Sequence, residues 1–216
     1  MVKRAEHAVL DWNTLRGVAR QGYQDGLECL ASIDLLQRMN AAEVIARINK
    51  GRLAQTLDLI VKGTLFRLHV YVVRAFAKVQ YEDDRHLASA IDFLRQPGRL
   101  DDIPWPIHRE RLESAIRRFD LAIVDSRYQR LKLMRDKQLA HFAEYDRTGG
   151  PTYTDLYEFA GVAAAIWEDL AFGSQVIMIE MELQMKAYRK SNDSFWSGPR
   201  SQTENRGCEL TGDLEN

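Results

Sequence analysis

Apolar residues recur at intervals of three and four along nearly the whole chain, the spacing that lays one stripe along an α-helix. Leu53, Leu57, Ile60, Thr64, Leu68, Tyr71 and Ala75 form one such stripe. Leu156, Phe159, Ala163, Ile166, Leu170, Gly173, Ile177 and Met181 form another. Strand-like alternation is absent over any useful length. Pro97, Pro104, Pro106, Pro151 and Pro199 all fall between stripes, where a missing N–H interrupts no helix. The pattern predicts an all-α chain.

Punctuation then sets the elements. A first segment covers 5–38, with interruptions expected near Gly17 and Gly22. Asn40, with Glu43 three residues on, reads as a capping box opening a helix that runs to about residue 78. Gly51 and Gly63 lie inside it. Each costs roughly 1 kcal/mol against Ala, so a kink or a close helix contact is expected there. A shorter helix covers 85–96, and a loop covers 97–105. Pro106 suits the first turn of the next helix, which reaches about 144 before Gly149-Gly150-Pro151 stops it. Thr152 with Asp155 caps the last long helix, 153–189. From 191 onward Ser, Asn, Gly, Glu and Asp prevail. That composition buries too little apolar surface to offset its ordering entropy, so 191–216 is expected to be a disordered tail. The expected architecture is an up-and-down bundle of four to five main helices. It forms one domain over 1–190, with 1–38 as an N-terminal helical extension.

Composition narrows the function classes. A chain of 216 residues can bury a core without staples. A net charge of −1 gives no global field to attract nucleic acid. The basic residues are lopsided, however: 22 Arg against 8 Lys, which reads either as a codon or surface-composition bias or as a leaning towards the bidentate phosphate contacts that Arg suits. Cys29 and Cys208 form no Cys-x-x-Cys pair. No signal-peptide pattern is visible, and no apolar run approaches the ~20 residues of a membrane span. A cytoplasmic protein with no membrane partner is expected. His69 and His86 lack ligand partners at metal spacing, so no metal and no cofactor is expected. Met178, Met181 and Met185 read as packing. Trp105 and Trp196 fall in loop-like segments, as packing caps or as stacking platforms.

One stretch carries candidate chemistry: Arg135-Asp136-Lys137-Gln138-Leu139-Ala140-His141. On a straight helix the 106–144 segment shows two apolar stripes. Leu112, Ile116, Phe119 and Ile123 define the first. Leu121, Val124, Tyr128, Leu131, Leu139 and Phe142 define the second. Arg135 falls in the middle of the second. His141 falls in line with the first, about 120° away. An Arg inside an apolar stripe is costly to bury unpaired, so it belongs at a cleft or an interface. Two side chains so far apart on one straight helix do not converge on one small group. Either the helix breaks between them, or the partner comes from another chain.

This stretch resembles the Arg-x(4–6)-His signature of the HEPN superfamily, small all-helical proteins that include many metal-independent ribonucleases. Its fuller wording, with Asp and Lys after the Arg and Leu-Ala-His at the end, is most similar to the AbiU2-like HEPN branch. The resemblance covers about 41–189, and 1–38 has no counterpart in it. It implies a homodimer whose two motifs face each other. It also implies RNA as substrate, a role as a toxin or in antiphage abortive infection, and an antitoxin or regulatory partner. His141 would then act as general acid or base near neutral pH. Arg135 would hold the non-bridging phosphate oxygens. Asp136 would orient these two, and Lys137 would contact the backbone phosphate. The alternative is a non-enzymatic helical interaction module, antitoxin-like or a scaffold, in which Arg135 and His141 organise a dimer. Motif side chains open to a cleft favour the enzyme. The same side chains sealed by salt bridges favour the module.

Overall fold

The computed structural model describes residues 11–78, 86–136 and 150–197. Every regular element among them is a helix. In order they are α1 (Trp12–Arg38), α2 (Ala42–Gly51), α3 (Ala54–Ala75), α4 (Leu87–Leu94), α5 (Pro106–Val124), α6 (Ser126–Met134), α7 (Tyr153–Gly173) and α8 (Met181–Ser197). The all-α reading therefore holds.

Named contacts give the directions. Arg16, early in α1, donates to the carbonyl of Ser174 at the far end of α7, so these two helices run antiparallel. Asp25 pairs with Arg74, and Glu28 with Arg67, which sets α3 antiparallel to α1. Ser114 of α5 donates to Asp169, while Arg127 and Arg130 of α6 pair with Glu158 and Asp155, so α5 and α6 both oppose α7. The Asn192 amide donates to the Ala31 carbonyl, and the Trp196 indole to that of Leu35, so α8 runs beside α1 in the same direction. The long helices thus go up, down, up, down and up, with α7 packed by α1, α3, α5 and α6.

Three long helices of the sequence reading divide in the structure. The first, expected from Asn40 to about 78, breaks at Arg52, which takes the left-handed conformation (φ 52°) directly after Gly51. The kink expected at Gly51 is found. Gly63 shows neither kink nor contact, since a Cβ there would meet open space. The cap also moves: Ala41 occupies the N-cap position, without a side-chain bond. The second, 106–144, breaks at Asp125, whose extended backbone ends α5 and whose carboxylate accepts the Arg127 N–H at 2.8 Å to start α6. The third breaks after Gly173, with Gln175 at φ 62°, before α8 begins. The Thr152–Asp155 capping box and Pro106 in the first turn are both found as expected.

The two ends of the chain differ from expectation as well. α8 runs on to Ser197, so 191–197, assigned above to the tail, are helical and bonded to α1. Asn192 and Trp196 supply the contacts that the tail composition hid. Trp196 therefore sits on a helix, not in a loop. The rest of the expected tail lies outside the described residues.

The segment read as an N-terminal extension is central. α1 runs unbroken through Gly17 and Gly22, with Leu15, Ala19 and Leu27 fully buried. Gly22 explains its own presence: a Cβ there would lie 2.1 Å from the Trp167 ring. Gly26 is less crowded, and a Cβ there would lie 3.2 Å from Ala164 and from the tip of Met181. The intrinsic cost of glycine in a helix, about 1 kcal/mol, is offset by the close approach of α1 to α7. Gly22→Ala is therefore expected to destabilise the fold by about 1–3 kcal/mol through overpacking. Gly17→Ala, with nothing within 4 Å, should instead stabilise by up to about 1 kcal/mol. Urea titration of both variants checks the opposed signs, and Gly22→Ala as stable as the parent would contradict the packing.

Candidate functional site

α6 leads directly into the motif. Its buried side, Tyr128 and Leu131, faces the core. The Tyr128 hydroxyl donates to the Phe76 carbonyl at 2.9 Å, and its ring stacks on Phe159. Arg127 and Arg130 tie the helix to α7 through Glu158 and Asp155. Met134 ends the α-helix, and the chain enters a wider π-type turn at 135–136, a geometry that recurs at functional sites.

Arg135 and Asp136 occupy that turn. The guanidinium lies against the neighbouring carboxylate, with Nε 2.7 Å from Oδ1 and Nη2 on the same oxygen. The side chains are 33% and 39% exposed. A screened pair between adjacent residues contributes little to stability, so it holds Arg135 only loosely. Arg135 is not sealed in the core, in keeping with its place in an apolar stripe, and it pairs with Asp136; the orienting role expected of Asp136 between Arg135 and His141 reaches outside the described residues. Lys137 and His141 lie outside the described residues, as do Leu139 and Phe142 of the second stripe. That stripe does not continue as one face. Tyr128 and Leu131 are buried, whereas Leu121 and Val124 are exposed. The break at Asp125 separates them.

Sequence reasoning gave His69 no specific role. The structure buries it on α3, where its Nε2–H donates to the Leu131 carbonyl at 2.7 Å. That same carbonyl accepts the backbone N–H of Arg135. His69 thus pins the last turn before the motif. Its position in the Leu68-His69-Val70 run was the one available signal, because a polar ring buried among apolar side chains needs a hydrogen-bond partner. Burial pushes the imidazole below its ordinary value, the bond to Leu131 works in the other direction, and the Arg135 charge adds to the depression.

This makes a pH prediction. The unfolded chain takes a proton at about 6.5, whereas the folded imidazole resists it. The unfolded state therefore binds more protons as pH falls below that value, and stability falls with it. His69→Gln removes the titration. The parent should lose more stability than this variant between about pH 7 and about pH 5. Equal losses would show that His69 is not held neutral.

A cavity of about 210 Å³ opens beside the pinned turn, lined by Lys62, Phe66, His69, Leu131, Met134 and Tyr153 among others. A second, of about 280 Å³, lies between α1, α3 and α7. The Asp25–Arg74 pair lines it, as do Tyr71 and the small residues Gly22, Gly26 and Ala164. Among the described residues no group of three His, Cys, Asp or Glu side chains could hold a metal ion. No described helix is long and apolar enough to cross a membrane. No family model, no curated protein and no solved structure matches this chain.

Proposed function

We propose that this chain is a metal-independent endoribonuclease of the HEPN kind, working as a homodimer in a toxin or abortive-infection role. The observation that carries the reading is the state of Arg135. It stands half-open at the end of α6, held loosely by Asp136, with no ion pair to a neighbouring helix among the described residues. A guanidinium so placed can exchange one carboxylate oxygen for two phosphate oxygens, a bidentate contact that strengthens as charge builds on the phosphorane. The motif wording supplies the rest. His141 takes the 2′-hydroxyl proton or returns one to the leaving 5′-oxygen. The 2′-oxygen attacks phosphorus and the bond to the 5′-oxygen breaks. The products are a 2′,3′-cyclic phosphate and a 5′-hydroxyl. Asp136 orients the pair, and Lys137 contacts the backbone phosphate.

Dimerisation is part of the same reading. Leu121 and Val124 at the end of α5, and Leu53, Leu59 and Ile60 around α3, are exposed apolar side chains that one bundle leaves uncovered. An isologous contact would cover such patches on both chains at once. The test is incubation of the protein with RNA in excess chelator, followed by analysis of the new ends. The expected result is cleavage unaffected by chelator, with cyclic phosphate ends. Cleavage that needs added metal, or 3′-hydroxyl ends, would overturn the mechanism.

A further inference from the structure

The cavity beside the motif has a composition that suits one ligand. Two of its lining side chains are aromatic: Phe66 from α3 and Tyr153 from the first turn of α7. Both remain largely exposed, at 51% and 66%. Large aromatic side chains usually bury most of their surface, and Phe76, Phe93 and Phe159 do so here. Behind them the walls are aliphatic, with Leu131 and Leu156 both in the core. At about 210 Å³ the space is below the roughly 300–1,000 Å³ of sites for drug-sized ligands, and suits one flat ring system.

The cations beside it could meet an anionic chain by exchanging carboxylate partners. Lys62 lines the rim, paired with Asp58 at 2.6 Å, Lys132 lies in the last turn of α6, and Arg135, paired with Asp136, follows that helix directly. α6 contributes Leu131 and Met134 to the wall, and Arg135 follows directly. The Arg135 charge is felt at His69, which lines the same cavity. An apolar slot with aromatic edges next to a guanidinium has the two parts that single-stranded RNA needs: a face for the base and a cation for the backbone.

We propose that this cavity is a base subsite, in which Phe66 and Tyr153 stack an unpaired nucleobase of the RNA whose phosphate Arg135 holds. The inference rests on the ribonuclease reading for its choice of ligand, but its test does not require cleavage. The subsite favours single strands, because a base inside a duplex cannot reach it. It acts on binding, whereas Arg135 and His141 act on the reacting phosphate.

The experiment uses the full chain carrying His141→Ala and single-stranded oligoribonucleotides with 5-iodouridine at one position. Irradiation cross-links this base to an aromatic ring on which it stacks. The expected cross-link maps to Tyr153 or Phe66. In anisotropy titrations, Phe66→Leu with Tyr153→Leu should weaken binding on the order of 10-fold, the scale of one lost base stack. An abasic strand should bind both proteins equally. Both positions are exposed, so the double variant should melt with its parent. If it does not, the cross-link site on the parent still decides. A cross-link elsewhere, or an unchanged affinity in a folded double variant, would overturn the subsite and leave the cavity as a seat for an apolar side chain of a partner protein. Cleavage by the unmodified chain is scored separately. Stacking without cleavage retains the subsite and removes the nuclease, and cleavage without stacking does the reverse.

Discussion

Replacing Arg111 and Arg118 together by Met should cost the fold about 3–5 kcal/mol, the range for stranding a buried charge. The charge in question is Asp169, whose side chain is only 3% exposed. Three groups reach it from α5: Arg111 Nη1 at 2.8 Å, the Ser114 hydroxyl at 2.7 Å and Arg118 Nε at 3.1 Å. The two sides of this cluster are unequal. The guanidiniums keep substantial contact with water, and Arg111 also lies over the Phe172 ring. Removing Asp169 would free them to turn outward at modest cost. Removing both guanidiniums leaves a carboxylate in the core with one hydroxyl. Against a total stability of about 5–15 kcal/mol that loss is large, on the order of 10 °C in melting temperature. Thermal melts of parent and variant at neutral pH would show it. A variant with the parent's melting temperature at neutral pH would mean that the clasp is ornamental.

The helical class and the bundle direction were legible in the sequence because they rest on local signals. Period-3.6 stripes, proline placement and the Thr152–Asp155 box act within a few residues. The breaks were not legible, for a physical reason that differs at each. At Asp125 the apolar spacing runs on without a gap, and the chain bends because a capping carboxylate there gains the Arg127 N–H and an ion pair with its side chain. After Gly173 the apolar Val176, Ile177, Met178 and Ile179 imitate a continuing helix, although Met178 and Ile179 end up exposed. The α7 helix stops where Gly173 must admit Leu112, at 2.6 Å from a would-be Cβ. Gly22 erred in the opposite direction. Read locally it weakens α1, yet the Trp167 ring fills the space it leaves.

The candidate site divides in the same way. That Arg135 would avoid a sealed core followed from its place in an apolar stripe, and the half-open pair with Asp136 agrees with this. Its support by His69 was not legible, because the bond joins α3 to the Leu131 carbonyl across 62 positions of sequence. The aromatic cavity was hidden for the same reason. Phe66 and Tyr153 come from distant helices, and neither residue is unusual in its own segment.

The central claim is that Arg135 and His141 act together on RNA, one from each chain of a dimer. Arg135→Ala should remove phosphate stabilisation and His141→Ala proton transfer, each costing on the order of 10²-fold or more in cleavage rate. Stability should change little with Arg135→Ala, because the residue is half-exposed and its pair with Asp136 is screened. A composite site makes a sharper statement. In a heterodimer of the two variants one site carries both substitutions and the other carries neither. Random exchange makes half of the dimers mixed, each with one of two sites intact, so about a quarter of wild-type activity should return. The decisive measurement is RNA cleavage by the wild type, by each variant and by the exchanged mixture. The account predicts activity, loss, loss and partial return. A wild type that cleaves no RNA after purification away from any bound partner would contradict it and leave the interaction-module reading in its place.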